Sequence, residues 1–222
     1  MIRFYRIRYL IFLLLFVSIN AAQEYVTTID SARHAMVVAA REEAVQAGLE
    51  MLKLGGNAVD AAVAAAFMIG VVEPYASGLG GGGGMLIYLR ESNQFYYIDY
   101  YHQAPARIDT TFSSNSDRET GRAICIPGTP AGLTAAVQRF GRLPLKTVMQ
   151  PAIETARGGF VVNQVFFKAV IEKLDLLITY PETAGSYLNE GLPYMAGDTL
   201  KLPQLAAVLE GIAERGSDYF YR

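Results

Sequence analysis

The sequence contains a single cysteine, Cys125, among its 222 residues, so it cannot form an intrachain disulfide. Cys125 lies in the apolar run Ala123–Ile126, which favours a buried position. No adjacent basic side chain or predicted helix N-terminus would lower the pKa of its thiol, so we expect it to be unreactive. The sequence therefore favours neither a disulfide framework nor thiol catalysis.

The chain also lacks a run of basic residues, and its formal net charge is −2. Arg3, Arg6 and Arg8 all lie in the first 22 residues, which leaves 16 basic and 21 acidic side chains, a net charge of −5, in the remainder. This balance disfavours nucleic acid or an anionic membrane surface as the main partner.

No apolar run is long enough to span a bilayer. The longest terminal run, Tyr9–Ile19, would rise only about 16 Å as a helix, against a hydrocarbon core of roughly 30 Å. With its basic flank and the small residues Ala21 and Ala22, it resembles a secretory signal peptide over residues 1–22. An uncleaved anchor that recruits flanking residues is the alternative. We expect residues 23–222 to be secreted or periplasmic, without a stable membrane anchor.

The apolar pattern predicts an α+β fold, with helices and a few strands in mixed order and no regular βαβ repeat. The predicted helices are Glu42–Leu54, Ala58–Val72 with Asn57 as its cap, a helix with Thr129 as its cap and Pro130 at its first position that ends near Phe140-Gly141, a helix from Pro144 to Gly158 that restarts at Pro151, a helix capped by Asn163 that reaches about Leu177, and Pro203–Arg215. The predicted strands are Met36–Ala39, Met85–Arg90, Gln94–Tyr101 and Ala123–Ile126. Arg107–Arg122 and Tyr180–Asp198 are predicted to be irregular, the former as an exposed loop.

The segment Glu73–Met85 carries six glycines in seven positions, Gly78 and Gly80–Gly84. It formally matches the dinucleotide fingerprint G-x-G-x-x-G, but that site requires a strand before the glycines and a helix after them. Here a predicted helix precedes and a strand follows, so a phosphate would meet the negative end of the helix. We interpret the glycines as sites of close backbone packing.

Read in order, several motifs resemble the N-terminal portion of the γ-glutamyltransferase (glutathione hydrolase) family. They are Gly55–Ala64, Glu73-Pro74, Ser77–Gly83, Ala104–Ala106, Pro127–Thr129, Ala131–Leu133, Phe140–Pro144, Pro151–Ile153, Gly159-Phe160, Gly197-Asp198 and Leu202–Tyr221. Together they cover nearly all of the chain after the signal peptide.

The resemblance implies an N-terminal-nucleophile hydrolase fold, an αββα sandwich, of which this chain is the incomplete large-subunit part. It implies a precursor that cuts itself, after which the N-terminal threonine of the small subunit attacks a γ-glutamyl amide. The γ-glutamyl group then passes to water or an amino acid, without a cofactor or metal. Family members are more than twice as long, so the nucleophile is expected on a small subunit outside this sequence, and this chain holds no catalytic residue.

The chain departs from the family at the stretch that binds the substrate α-carboxylate. The family pattern is Asp-x-Arg-Glu-x-Ala-Pro, whereas this sequence has Tyr101 at the arginine position and His102 at the glutamate position. A guanidinium makes two charge-assisted hydrogen bonds to a carboxylate, and a phenol makes one neutral bond. Tyr101 and His102 are therefore the candidate substrate-binding residues, although Tyr101 could equally be a packing residue.

Three hypotheses follow. The first is the large-subunit part of a γ-glutamyltransferase, which is inactive alone and requires the missing small subunit. The second is a non-catalytic remnant or binding module. The third is a related amidase or acylase with another substrate, such as a different γ-glutamyl compound, a polyglutamate or an acylated β-lactam.

Overall fold

The computed structural model of the protein describes residues 30–107 and 111–222. The predicted signal peptide lies outside the described residues, as do residues 108–110 of the predicted polar loop. Contacts divide the chain after His34, and residues 35–222 form one unit. Among the described residues, no helix combines the length and the hydropathy that crossing a bilayer requires.

The described residues contain nine α-helices, one short 3₁₀ helix (Gly121–Ala123) and three antiparallel strand pairs. The helices are α1 (Glu42–Lys53), α2 (Ala58–Val72), α3 (Thr129–Phe140), α4 (Leu145–Gly158), α5 (Gln164–Glu172), α6 (Leu174–Thr179), α7 (Pro181–Tyr187), α8 (Pro203–Arg215) and α9 (Asp218–Tyr221). The strands are β1 (Gly83–Leu89), β2 (Gln94–Tyr100), β3 (Phe160–Val161), β4 (Leu188–Asn189), β5 (Leu192–Pro193) and β6 (Thr199–Leu200). The pairs are β1 with β2, β3 with β6, and β4 with β5.

Helix α2 lies at the centre of the core. It is built mainly of alanine and other apolar residues, and it packs against α1, α3 and α4, while α4 packs in turn against α8. Small side chains allow this close approach: a Cβ added at Gly48 of α1 would lie 3.0 Å from the carbonyl oxygen of Ala61. The prediction that α2 is buried on nearly every side is confirmed, with Val63, Phe67 and Val72 almost inaccessible to solvent.

The N-terminus of α2 is held by a capping box. The Asn57 side chain accepts hydrogen bonds from the backbone N–H groups of Val59 and Asp60, and the Asp60 carboxylate accepts from the Asn57 N–H at 2.8 Å. Asp60 is fully buried and also accepts from the backbone N–H groups of Arg142 and Leu143, 3.0 and 3.3 Å away. The carboxylate therefore ties the start of α2 to the turn after α3.

Strands β1 and β2 form the predicted hairpin, with Asn93 at a φ of 52° in its turn. One face packs toward the core through Met85, Ile87 and Ile98. The opposite face stays open, and its apolar members are Leu86, Tyr88, Phe95 and Tyr97, which are 69%, 49%, 68% and 67% exposed. Leu86 pairs with Tyr97 and Tyr88 with Phe95 across the strands, so these side chains form one continuous apolar patch.

Two predicted strands are wrong. Met36–Ala39 has no regular secondary structure; Val37 packs against Gly48, but no described strand pairs with the segment. Ala123–Ile126 is not a strand either: Ala123 ends the 3₁₀ helix Gly121–Ala123, and Ile126 forms an isolated bridge with Gln103. Cys125 is half-buried rather than buried, because the run lies at the surface, with Ile124 on one side 68% exposed. In both cases the apolar run indicated an extended segment but could not supply a partner strand.

The helix predictions need three corrections. The predicted helix Asn163–Leu177 is divided at Lys173, whose φ of −117° and ψ of 15° are not helical, although Leu174 and Leu177 continue to pack on the core. Pro151 does not restart a helix, since α4 runs through it. Thr129 is the first residue of α3 and Gly128 occupies the cap position.

The two segments predicted to be irregular are more ordered than expected. Tyr180–Asp198 contains α7 and the β4–β5 pair. The described part of the predicted polar loop is mostly exposed, but Asp117 is 8% exposed. Its carboxylate accepts from the backbone N–H of Ser113 at 2.8 Å and from the guanidinium of Arg122 at 3.0 Å. These contacts were not predicted because they depend on local hydrogen bonds rather than on apolar periodicity.

Candidate functional site

The glycine loop between α2 and β1 is a region of close backbone contact. A Cβ added at Gly70 in α2 would lie 3.1 Å from the Cα of Gly78, whose φ is 142°. A Cβ added at Gly82 would lie 2.8 Å from the Tyr100 carbonyl oxygen and still closer to the backbone nitrogen of His102. Larger residues at these positions would separate the chain segments, so the interpretation of the glycines as close-packing residues agrees with the structure.

The glycine loop also contacts the start of α3. The Gly81 carbonyl oxygen accepts hydrogen bonds from the N–H groups of Gly128 and Thr129, at 2.9 and 3.2 Å. A Cβ added at Gly128 would collide with the carbonyl of Tyr100, and one added at Gly132 would collide with the Tyr100 ring. The glycine loop, the end of β2 and the α3 N-terminus therefore meet through backbone contacts.

Tyr101 and His102 follow β2 at this junction. Their rings are stacked, with centroids 4.0 Å apart and planes inclined by 32°. The Tyr101 backbone N–H donates to the Asp99 carboxylate at 3.0 Å, and the Tyr101 side chain is 62% exposed. The backbone of Gln103 then pairs with that of Ile126 through two hydrogen bonds of 3.0 and 2.8 Å. The two predicted site residues thus lie together on a well-supported segment, and Tyr101 is not part of the core.

A groove of about 380 Å³ opens beside this segment. Its walls come from the end of β2, the turn before α3, the first turns of α3 and the C-terminal helix α9, and they include Tyr101, Gln103, Gly128 and Tyr221. Burial raises the pKa of Tyr221, although a hydrogen bond from Ala131 opposes this effect. The phenol therefore keeps its proton at neutral pH and remains a hydrogen-bond donor.

The groove is nearly uncharged. Asp99 is the one ionisable carboxylate of its lining, and no Lys or Arg of the described chain contributes to it. The α3 N-terminus offers no free anion site either, since Thr129 donates to Gly81 and Ala131 donates to the Tyr221 hydroxyl. A substrate carboxylate bound here would meet neutral donors such as the Tyr101 phenol and the Gln103 amide.

A larger groove, of about 900 Å³, lies beside Arg41 at the start of α1. The Arg41 guanidinium is committed to structural contacts: it donates to both carboxylate oxygens of Glu43 and to the carbonyl oxygens of Val72 and Val161. Burial alone would raise the pKa of Glu43, but hydrogen bonding from the Arg41 side chain, a backbone hydrogen bond and the charge of Arg41 lower that pKa overall. The hydrogen bonds of Arg41 thus connect α1, α2 and β3, and its guanidinium is used within the fold.

Sequence reasoning missed Gly128, Gly132 and Tyr221 as residues that shape the site. Gly128 and Gly132 fall within matched motifs, but their contacts with Tyr100 depend on tertiary packing. Tyr221 is 94 residues from Pro127, to which it donates a hydrogen bond, and no local pattern indicates that contact. Among residues 30–107 and 111–222, no three His, Cys, Asp or Glu side chains converge in a way that could hold a metal ion.

Comparisons of the sequence and of the structure with known proteins give results that agree with each other. A sequence model of the γ-glutamyltranspeptidase family matches residues 44–222. The chain is 37% identical to the glutathione hydrolase proenzyme of Escherichia coli over 204 residues, which cover 86% of this chain and 34% of the relative. The structure is similar to that of γ-glutamyltranspeptidase from Helicobacter pylori, with a TM-score of 0.81 and 28% identity over 88% of this chain and 58% of that one.

A further likeness is to the transpeptidase enzyme CapD of Bacillus anthracis, with a TM-score of 0.74 and 32% identity, covering 86% of this chain and 62% of that one. The chain thus spans about a third of the length of the curated relatives it matches, 34% in the case of the Escherichia coli protein. The structural likenesses confirm the predicted fold class: the chain has part of the N-terminal-nucleophile hydrolase αββα sandwich.

Proposed function

This chain belongs to the γ-glutamyltranspeptidase family, and we propose on that premise that it is the N-terminal part of a secreted enzyme that cleaves γ-glutamyl amides. The complete protein transfers the γ-glutamyl group to water or to an amino acid. The nucleophilic threonine comes from a small subunit cut from the same precursor, so residues 23–222 alone are inactive. The observation that carries this proposal is the family match over residues 44–222 together with a fold shared at a TM-score of 0.81.

In the proposed enzyme, this chain supplies one wall of the substrate site. Tyr101 and His102 face the γ-glutamyl group from the exposed end of β2, beside the groove of about 380 Å³. Their support is rigid, because the glycine loop and Gly128 contact the backbone of this segment. A rigid support suits a residue that must hold a substrate group in one orientation.

A second candidate is an amidase or transpeptidase of the same fold whose substrate lacks the usual γ-glutamyl α-carboxylate contact. The absence of a basic side chain from the described lining of the groove favours it, because Tyr101 replaces the arginine and no described Lys or Arg lines the groove instead. The likeness to the transpeptidase CapD is compatible with either candidate. If the chain instead belongs to a non-catalytic binding module, the complete protein would be inert toward both substrate classes.

The test is to produce the complete protein from the full-length gene and to measure hydrolysis of γ-glutamyl-p-nitroanilide. We expect hydrolysis by the processed protein, and we expect residues 23–222 alone to be inactive. The reading frame beyond codon 222 should encode a Thr-Thr-His-type motif. A full-length protein that has the motif but cleaves only other amides would favour the second candidate, and one without any threonine nucleophile would refute both enzymatic proposals.

A further inference from the structure

The Tyr221 hydroxyl connects the C-terminal helix α9 to the turn that borders the candidate site. It donates a hydrogen bond to the carbonyl oxygen of Pro127 at 2.7 Å and accepts one from the backbone N–H of Ala131 at 3.3 Å. A phenol has one proton to donate, and here that proton is already used. The hydroxyl is therefore not available to donate to a substrate, although Tyr221 lines the groove.

Helix α9 is itself held firmly to the rest of the fold. The guanidinium carbon of Arg215 lies 3.9 Å from the centroid of the Tyr219 ring. The same ring closely contacts Gly211 of α8. Phe220 packs against the core. Tyr221 therefore extends from a fixed element, which is the condition under which a hydrogen bond can position another segment.

The turn that Tyr221 holds is in direct contact with the candidate substrate residues. Ile126 pairs with Gln103 through two backbone hydrogen bonds. Gly128 lies against the carbonyl groups of Tyr100 and Tyr101. Displacement of the turn would therefore displace residues 100–103, on which the Tyr101 and His102 side chains are carried.

We infer that Tyr221 is a positioning residue, whose hydroxyl fixes the Pro127-Gly128 turn and thereby sets the placement of Tyr101 in the substrate groove and of His102 beside it. This inference rests on the proposed function for its kinetic consequence. Its structural consequence, a change in the stability of the Gln103–Ile126 backbone pairing, does not depend on which substrate the complete protein cleaves.

The test compares Tyr221→Phe with the wild type in the complete, processed protein. Loss of one hydrogen-bonding hydroxyl should raise KM for γ-glutamyl-p-nitroanilide by about two- to tenfold, with kcat nearly unchanged, because the variant disturbs substrate placement and not the nucleophile. Amide hydrogen exchange at Gln103 and Ile126 should accelerate by a similar factor.

The matched control is Tyr219→Phe, in the same helix, whose hydroxyl bonds no group of the described chain. It should leave both KM and exchange at Gln103 and Ile126 unchanged. Unchanged exchange in Tyr221→Phe, or a loss confined to kcat, would overturn the inference. If the wild type does not hydrolyse γ-glutamyl-p-nitroanilide, the proposed function fails, but the exchange measurement still decides the role of Tyr221.

Discussion

In the proposed enzyme, the residue type at position 101 decides which substrate the site prefers, and we treat this as a prediction. Tyr101 is 62% exposed at the end of β2 and stacks on His102, so its ring contributes little to the core. This exposure argues against Tyr101 as a packing residue and favours it as a residue that contacts a ligand. The sequence alone located both residues correctly at the end of the second hairpin strand, but it could not show that no described Lys or Arg lines the groove beside them.

The first residue-scale prediction concerns Tyr101→Arg in the complete protein. A guanidinium at this position can make a charge-assisted, two-point contact with an α-carboxylate, which is worth about 1.5–3 kcal/mol. KM for γ-glutamyl-p-nitroanilide should therefore fall by about ten- to a hundredfold. Tyr101→Gln, which removes the ring without adding a charge, is the control and should not lower KM. If the arginine variant gains no affinity, Tyr101 does not face the α-carboxylate.

The second residue-scale prediction concerns Asp60, which is fully buried and accepts backbone hydrogen bonds from Asn57, Arg142 and Leu143. Asp60→Ala leaves these N–H groups without their acceptor, at about 1 kcal/mol each, so the free energy of unfolding should fall by roughly 2–4 kcal/mol. Thermal unfolding of the complete protein measures this loss. Asp60→Asn keeps one carbonyl oxygen and should lose less; equal losses in both variants would show that charge, not hydrogen bonding, is decisive.

At the level of helices and strands, the sequence predicted those elements whose ends carry a local signal. Helix α2 begins after the Asn57 cap and α8 ends before Gly216, and both were predicted with their observed bounds. The run Ala123–Ile126 was predicted as a strand and is wrong, because a strand exists only where a neighbour pairs with it. The glycines of the glycine loop predicted close backbone packing. They could not show that the loop contacts β2 and α3, because those contacts join distant parts of the chain.

The contact between the turn before α3 and the end of β2 can be tested with Gly128→Ala. Gly128 has a φ of −102° and a ψ of −20°, which alanine adopts without strain, so any effect is steric. The added methyl would meet the Tyr100 carbonyl, a main-chain group that cannot rotate away, and should cost about 1–3 kcal/mol of stability. KM should rise as well, because the displaced segment carries Tyr101.

The control for this substitution is Gly185→Ala in α7, where a Cβ would meet no atom within 4 Å. Alanine is favoured over glycine inside a helix, so this variant should be neutral or more stable by up to about 1 kcal/mol. Thermal unfolding and KM of the two variants, measured side by side, give the comparison. Equal behaviour of Gly128→Ala and Gly185→Ala would contradict the close contact between the turn and β2.

At the scale of the whole molecule, the apolar patch of Leu86, Tyr88, Phe95 and Tyr97 is the feature that distinguishes the hypotheses. A sheet face this apolar is usually covered in a folded protein, and an uncovered one promotes association. If the chain is the large-subunit part of a sandwich, the patch is covered in the complete protein by residues outside this sequence. If the chain is an independent binding module, it must remain soluble with the patch exposed.

We therefore expect residues 23–222, produced alone, to self-associate through this patch, as measured by light scattering and size-exclusion chromatography. The double variant Leu86→Lys/Phe95→Lys should reduce association, because charges on the open face oppose stacking of two apolar surfaces. The control Val165→Lys/Ile171→Lys alters two residues of α5 that are 58% and 47% exposed, and it should not reduce association. A fragment that is folded by circular dichroism and monodisperse at all concentrations would instead favour the binding module, because its patch would then need no cover.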